Sequence, residues 1–268
     1  MRHLVLRSVV GLEPLNNKVV LVTGASSGIG AACARICAKN GAKLILNARR
    51  KERLEALAGE LKETFAASSL IRPFDVRDLN QVKTAVEKLP PEWESVDVLI
   101  NNAGLARGLD RLYEGNVEDW EEMIDSNIKG LLYVTRLILP GMVKRGRGHL
   151  VNIASIAGIQ TYPRGNVYSA SKAAVRVLSD GLRQDLLGTP IRVTTISPGL
   201  VETEFSQVRF HGDRERATQA YRGMRPLSAD DVADAVLYSI TRPPHVNVNE
   251  IVLLPTDQAS STLVYRRE

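Results

Sequence analysis

The chain has 268 residues, 44% of them hydrophobic and 24% charged, and carries a formal net charge of +5. That length suits one large α/β domain, and a composition free of low-complexity or like-charge blocks excludes a largely disordered protein. No Lys/Arg stripe interleaves with aromatics, so nucleic acid is not an expected partner, and no window approaches the ~18 uncharged apolar residues of a membrane span.

Residues 1–17 are basic and contain an apolar run, Leu4 to Leu12, that Arg7 interrupts and no small-residue cleavage site follows. They read as an N-terminal extension ahead of a domain over 18–268, not as a signal peptide. Lys18 to Thr23 (KVVLVT) is a compact β-branched run, and GASSGIG, from Gly24 to Gly30, follows it directly. Strand, glycine turn and helix is the reading, with the helix running from Ile29 to about Asn40 and ended by Gly41. Cys33 and Cys37 lie four apart on that helix and read as small buried hydrophobes. With so few cysteines and only scattered histidines, neither a disulfide framework nor a metal site is expected, and a cytoplasmic protein is.

The alternation then repeats. Lys43 to Asn47 reads as a second strand, Arg50 to Thr64 as a charged helix, Leu70 to Phe74 as a third strand and Asn80 to Lys88 as a helix. Val96 to Ile100 is the fourth strand, and Val117 to Val143 a long helix with Gly130 in mid-course. His149 opens a fifth strand and is read as exposed, a helix bearing Tyr168 follows, and the remaining elements are Ile191 to Ile196, Ala229 to Ile240 and Asn249 to Leu254. Near-continuous apolar strands alternating with helices predict a single doubly wound (Rossmann) α/β domain with a seven-stranded parallel sheet flanked by helices. Residues 198–227 resist the scheme: they are mostly polar and too long for a plain connection, which marks a lid. Trp93 and Trp120 read as packing anchors, and Tyr113 and His211 as secondary candidates for touching a substrate.

Three stretches carry chemistry. In the glycine turn, Gly24, Ser26, Ser27, Gly28, Ile29 and Gly30 let the backbone approach a pyrophosphate at a helix N-terminus. After the second strand an NAD enzyme usually places an acidic residue for the ribose hydroxyls; here the chain reads Asn47-Ala48-Arg49-Arg50. No carboxylate in that stretch repels a 2′-phosphate, and Arg49 and Arg50 can grip one, so the expected cofactor is NADP. Tyr168 and Lys172 stand four apart, which on a helix puts them on one face, one turn apart, near Ser155 in the preceding loop. A nearby ammonium favours the phenolate, so this set fits proton transfer near neutral pH.

Together with Asn101-Asn102-Ala103-Gly104 after the fourth strand, these elements closely resemble the short-chain dehydrogenase/reductase family from about Lys18 to the C-terminus. TGxxxGxG, NNAG, a serine thirteen positions before the tyrosine, YxxxK and PG occur in order. The resemblance implies that Tyr168 gives or takes the proton on the substrate oxygen, and that Lys172 depresses its pKa and bonds the nicotinamide ribose. It implies that Ser155 holds the substrate oxygen and that Asn127 supports a proton-relay water. Asp75 and Val76 would lie beside the adenine, Asn102 and Gly104 on the adenosine side, and Pro198, Gly199, Val201 and Thr203 at the nicotinamide end. A homotetramer is also implied, with the apolar run Ile251 to Pro255 as a candidate contact.

Within the family, PGLVETEFSQVRFHGD, from Pro198 to Asp213, looks like the group of NADP-dependent 3-hydroxy acid dehydrogenases. The expected function is hydride transfer between NADP and a small 3-hydroxy acid of the serine, allo-threonine or 3-hydroxypropionate type, or its semialdehyde. The alternatives are an NADPH-dependent reductase of bulkier ketones or 3-oxoacyl thioesters, and a non-catalytic NADPH-sensing protein. Sensing requires no poised proton donor, so the intact Ser155, Tyr168 and Lys172 argue against the sensor. A 3-hydroxy acid needs a cation for its carboxylate. Arg209, in the lid, is the first candidate and Arg164, just before Tyr168, the second.

Overall fold

Side-chain alternation along the first strand sets the layout. In the computed structural model, which describes residues 14–268, β1 (Val19–Thr23) sends Val20 and Val22 into one core and Val19 and Leu21 into another. A period of two with both sets apolar is what burial on both faces of a sheet demands. The chain continues through α1 (Gly28–Lys39), β2 (Lys43–Asn47), α2 (Lys51–Phe65), β3 (Ser69–Ile71), α3 (Leu79–Glu87), β4 (Val96–Asn101) and α4 (Val117–Ile124). Then come α5 (Gly130–Arg145), β5 (Gly148–Ile153), α6 (Asn166–Asp185), β6 (Ile191–Pro198), α7 (Phe205–Arg209), α8 (Arg214–Gln219), α9 (Ala229–Ile240) and β7 (Glu250–Leu253).

The strands form the predicted seven-stranded parallel sheet, in the order β3-β2-β1-β4-β5-β6-β7. On one face α1, α2 and α9 bury Cys33, Cys37, Leu54, Leu61, Val232 and Val236; on the other, α3 and α5 bury Val82, Val134, Ile138 and Met142. Both cysteines are free thiols. Strand order reverses between β1 and β4, and at such a switch point the connections leave in opposite directions, opening a crevice at the strands' carboxyl ends.

Several expectations need correction. β3 stops at Ile71 instead of reaching Phe74, because Pro73 cannot donate to the ladder and the Asn47 amide takes the carbonyls of Arg72 and Phe74 at 3.1 and 3.0 Å. The long helix from Val117 is not uniform: a π turn, Asp125–Lys129, separates α4 from α5. The 198–227 segment is not irregular throughout, since it carries α7 and α8, and its ends are pinned by a bridge between Val201 and Leu227. His149 is buried, 1% exposed, with Nε2 2.8 Å from the Thr194 hydroxyl. That hydroxyl spends its own hydrogen on the Val248 carbonyl, so Nε2 is the donor. Burial, and then the charges of Arg192 and Lys18, hold this imidazole's pKa well below its ordinary value.

The expected extension over 1–17 lies mostly outside the described residues. Leu15, however, belongs to the core, and the Asn17 amide donates to the Gly41 carbonyl at 3.0 Å, so residues 15–17 pack with the domain.

Candidate active site

The crevice begins at the turn after β1. Gly24 and Gly28 have φ values of +67° and +51°, which side chains with a Cβ rarely tolerate. A Cβ on Gly24 would sit 2.8 Å from the Asn102 amide, and one on Gly30 2.3 Å from the Gly24 carbonyl. The turn is closed from β4: Asn102 Nδ2 donates to the carbonyls of Thr23 and Gly24 at 2.9 and 3.2 Å. The Thr23 hydroxyl accepts from the amides of Asn102 and Ala103, both at 3.0 Å. Ser27, at the head of α1, caps none of its amides, so the helix presents free N–H groups and its positive end to the crevice. A dinucleotide's pyrophosphate fits this cradle, which a Cβ would fill.

From there a cavity of about 680 Å³ runs across the carboxyl edge of the sheet. Its walls include Gly24, Ser26, Ser27, Gly28, Ile29, Arg49, Arg50, Asp75, Val76, Asn102 and Gly104, and further along Ser155, Tyr168, Lys172, Pro198, Gly199, Val201, Thr203 and Arg209. Nearly every sequence-predicted site residue is therefore gathered in one place. Gly30 lies behind the wall, where it lets α1 approach Asn102. Arg164 is on an exposed turn with φ +64° and borders a second, smaller cleft that shares Tyr168 and Arg209 with the cavity. Tyr113 and His211 also miss the cavity: Tyr113 is 76% exposed, and His211 pairs with Asp119 at 3.2 Å. Trp93 and Trp120 pack in hydrophobic clusters, as expected.

At the adenosine end neither arginine is a free cation. Arg49 lies 3.9 Å from Asp75 and 4.0 Å from Glu122. Arg50 donates to the hydroxyls of Ser26 and Ser27 at 3.0 and 3.2 Å and also meets Glu204 at 3.3 Å. Asp75 is bound by Arg77 through both carboxylate oxygens; burial pushes its pKa up, and the Arg77 hydrogen bonds and charge more than reverse that.

At the other end three elements converge. Ser155 ends the loop from β5, accepts from the Ala157 amide at 3.1 Å and donates to the Pro198 carbonyl at 3.5 Å. Tyr168 and Lys172 come from the first turns of α6, and both are buried. Lys172 Nζ donates to the Ile153 carbonyl at 2.8 Å. Asn127, in the π turn, exchanges two hydrogen bonds with the Leu105 backbone at 2.8 and 2.9 Å and donates to Ser171 at 2.9 Å. Ser171 in turn donates to the Tyr168 carbonyl at 2.7 Å. Both hydrogens of the Asn127 amide are thus spent, and the side chain braces α6.

In the structure the Tyr168 phenol answers first to burial. Burial, reinforced by Tyr162, pushes the Tyr168 phenol up to about 12, while Ser155 and Arg209 pull the other way. Lys172 is itself driven down to about 8 by burial. Burial is the leading cause for both groups, and it keeps the phenol in its protonated form.

Sequence reasoning missed Tyr162, Glu204, Phe205 and Tyr221, and the tail residues Ser261, Val264 and Arg266, all of which line the cavity. The Arg209 guanidinium lies among three rings, 5.5 Å from the centre of Tyr162, 5.3 Å from Tyr168 and 5.9 Å from Phe205, and donates to the Tyr162 hydroxyl. Its Nε is buried with no hydrogen-bond partner. Among the described residues no cluster of His, Cys, Asp and Glu is placed to hold a metal ion.

Comparison with known proteins agrees with this geometry. The short chain dehydrogenase family pattern matches residues 18–214. The NADP-dependent 3-hydroxy acid dehydrogenase YdfG of Salmonella typhi is 49% identical over 250 residues, covering 93% of this chain and 99% of that protein. An NADP-dependent 3-hydroxy acid dehydrogenase of Schizosaccharomyces pombe is 41% identical over 258 residues, 96% of this chain and 100% of that one. Among solved structures, the closed form of serine dehydrogenase complexed with NADP+ superposes with a TM-score of 0.87 at 46% identity, covering 93% of this chain and all of that one.

Proposed function

The chain belongs to the short chain dehydrogenase family, and from that premise we propose that it interconverts a small 3-hydroxy acid and its semialdehyde or ketone with NADP as cofactor. It is an oxidoreductase acting on CH–OH, and the substrates in view are serine, allo-threonine and 3-hydroxypropionate. NADP, when bound, accepts or supplies the hydride. The glycine cradle and the head of α1 hold its pyrophosphate, Arg50 with Ser26 and Ser27 its 2′-phosphate, and Asp75 and Val76 flank its adenine.

The residues at the far end divide the remaining work. Ser155 hydrogen-bonds the substrate oxygen. Tyr168, kept protonated by burial, donates its phenolic proton to that oxygen in reduction and takes the proton back in oxidation. Lys172, fixed to the Ile153 carbonyl, holds a cation beside the tyrosine's helix turn and bonds the ribose. Arg209 carries the choice of substrate: a guanidinium beside the reacting phenol, with an unpartnered Nε, suits a carboxylate a few ångströms from the reacting carbon. α7 and the turn after α8, through Phe205, Arg209 and Tyr221, wall this end and keep water from it.

Racemic 3-hydroxy acids assayed with NADP+, beside bulky ketones and 3-oxoacyl thioesters assayed with NADPH, test the reading. Turnover of the acids at rates well above the bulky substrates is expected. The reverse order would make the protein a bulky-ketone reductase, and no turnover of either would favour a sensor.

We further propose a cytoplasmic homotetramer. Among the described residues no helix is long and apolar enough to cross a membrane, and β7 is a sheet edge on which Val252 is 47% exposed. Light scattering at the 29.4 kDa monomer mass would contradict the tetramer.

A further inference from the structure

The stretch from Asn47 to Arg50 carries no carboxylate, yet the fold brings one there from a distant part of the chain. Glu204 leads into α7, and its Oε2 lies 3.3 Å from Arg50 Nη1. Arg53, one turn further along α2, holds the same carboxylate with Nη1 at 2.7 and 2.8 Å from its two oxygens. The other amine of Arg50, Nη2, is taken by the hydroxyls of Ser26 and Ser27. The Arg50 fork is therefore divided, half to the glycine turn and half to the lid. Ser26, Ser27, Arg50 and Glu204 all line the cavity.

A dianionic phosphate seated on Arg50, Ser26 and Ser27 would be a close neighbour of Glu204. Both are acceptors of like charge, and both need the same guanidinium. The Arg50 and Glu204 side chains are 45% and 39% exposed, and such half-exposed pairs contribute little to stability, so a dianion can displace one. Arg53 keeps the carboxylate from leaving altogether.

We propose that Glu204 is an intramolecular competitor for the 2′-phosphate of NADP. It occupies Arg50 when the phosphate is away, yields Arg50 when the phosphate arrives, and by its remaining repulsion speeds the cofactor's departure. Arg53 is the anchor that holds it at the point of competition. Because Glu204 leads directly into the helix that carries Phe205 and Arg209, the exchange also reaches the substrate end. The inference rests on the reading that Arg50 binds the 2′-phosphate.

Binding of NADP+ and NAD+ to the intact protein, followed by calorimetry and by stopped-flow dissociation at low salt, tests it. Glu204→Gln should lower the Kd for NADP+ by about threefold or more and slow its dissociation, with NAD+ nearly unchanged; the gain should shrink at high ionic strength. Arg53→Met, which frees Glu204 to pair fully with Arg50, should weaken NADP+ and again spare NAD+. In an Arg50→Ala background the gain from Glu204→Gln should shrink to the part due to direct repulsion of the 2′-phosphate, with NAD+ still unchanged. Equal changes for both cofactors, no change, or weaker NADP+ binding in Glu204→Gln would overturn the proposal and make Glu204 a structural tie of the lid. If Arg50→Ala alone leaves the NADP+/NAD+ ratio unchanged, it is the assignment of Arg50 that fails.

Discussion

Arg209 and Tyr168, on separate helices, meet with the guanidinium carbon 5.3 Å from the phenol ring centre. A cation there does two things. It pulls the phenol's pKa down against the larger effect of burial, and it places a planar fork where a substrate carboxylate can meet it. Arg209→Ala should raise KM for serine and 3-hydroxypropionate by about tenfold or more, the loss expected of one charge-assisted contact. An uncharged alcohol should be affected much less. Equal losses on both substrates would assign Arg209 to the folding of the lid.

Tyr168→Phe keeps the ring and its packing against Phe205, whose centre is 5.6 Å away, and removes only the hydroxyl that carries the proton. Turnover should fall by ~10²- to 10⁴-fold, the usual worth of a positioned acid or base, while NADPH binding by fluorescence titration stays within a small factor. A rate above a tenth of wild type would remove Tyr168 from the proton-donor role.

Replacing Arg49 and Arg50 together by Ala should move the ratio of NADPH to NADH affinity by about tenfold or more, since each charge-assisted bond to a phosphate contributes roughly 1.5 to 3 kcal/mol. Arg50 stands beside Ser26 and Ser27 of the glycine turn, so Arg50→Ala alone should account for most of the shift. Parallel losses for both cofactors would show that these side chains support the fold and do not read the phosphate.

Lys172 gives a pH signature. Its pKa is about 8 in the fold, because of burial, against an ordinary value of 10.5. Below pH 8 both folded and unfolded chains carry the proton and the fold bears the cost of a buried charge. Between 8 and 10.5 the unfolded chain binds more protons than the folded one, so this group's contribution to stability rises with pH, by roughly 3 kcal/mol over the full window. Melting temperatures of wild type and Lys172→Met measured from pH 7 to 10 should show wild type gaining several degrees on the variant. A constant difference would mean that Lys172 titrates as an ordinary lysine.

Features set by neighbours in sequence were legible before the structure. The glycine turn, the Arg49–Arg50 pair and the Tyr168–Lys172 spacing each follow from a local rule, and each lies on the cavity wall. What escaped depends on distant chain segments. Glu204 reaches Arg53 across 151 positions, and no periodicity announces that meeting. The tail residues Ser261, Val264 and Arg266 sit in a stretch without pattern, held because Arg267 pairs with Asp257 at 2.7 and 2.9 Å. His149 looks like a polar strand start and is buried, because only the fold shows that Thr194 stands opposite to satisfy it. Burial of the phenol is illegible for the same reason: the spacing of Tyr168 and Lys172 shows that they share a helix face and not how little water reaches them.

The π turn at Asp125–Lys129 amounts to one residue more than a regular helix would use. Deleting a single residue there would let α4 and α5 fuse into an unbroken rod with a regular ladder of backbone bonds. It would also turn Asn127 away from Leu105 and Ser171, and with them the brace on the first turn of α6. Regularity in this stretch would therefore cost stability and turnover together, because the buried bonds of Asn127 and the seat of Tyr168 and Lys172 depend on the same extra residue.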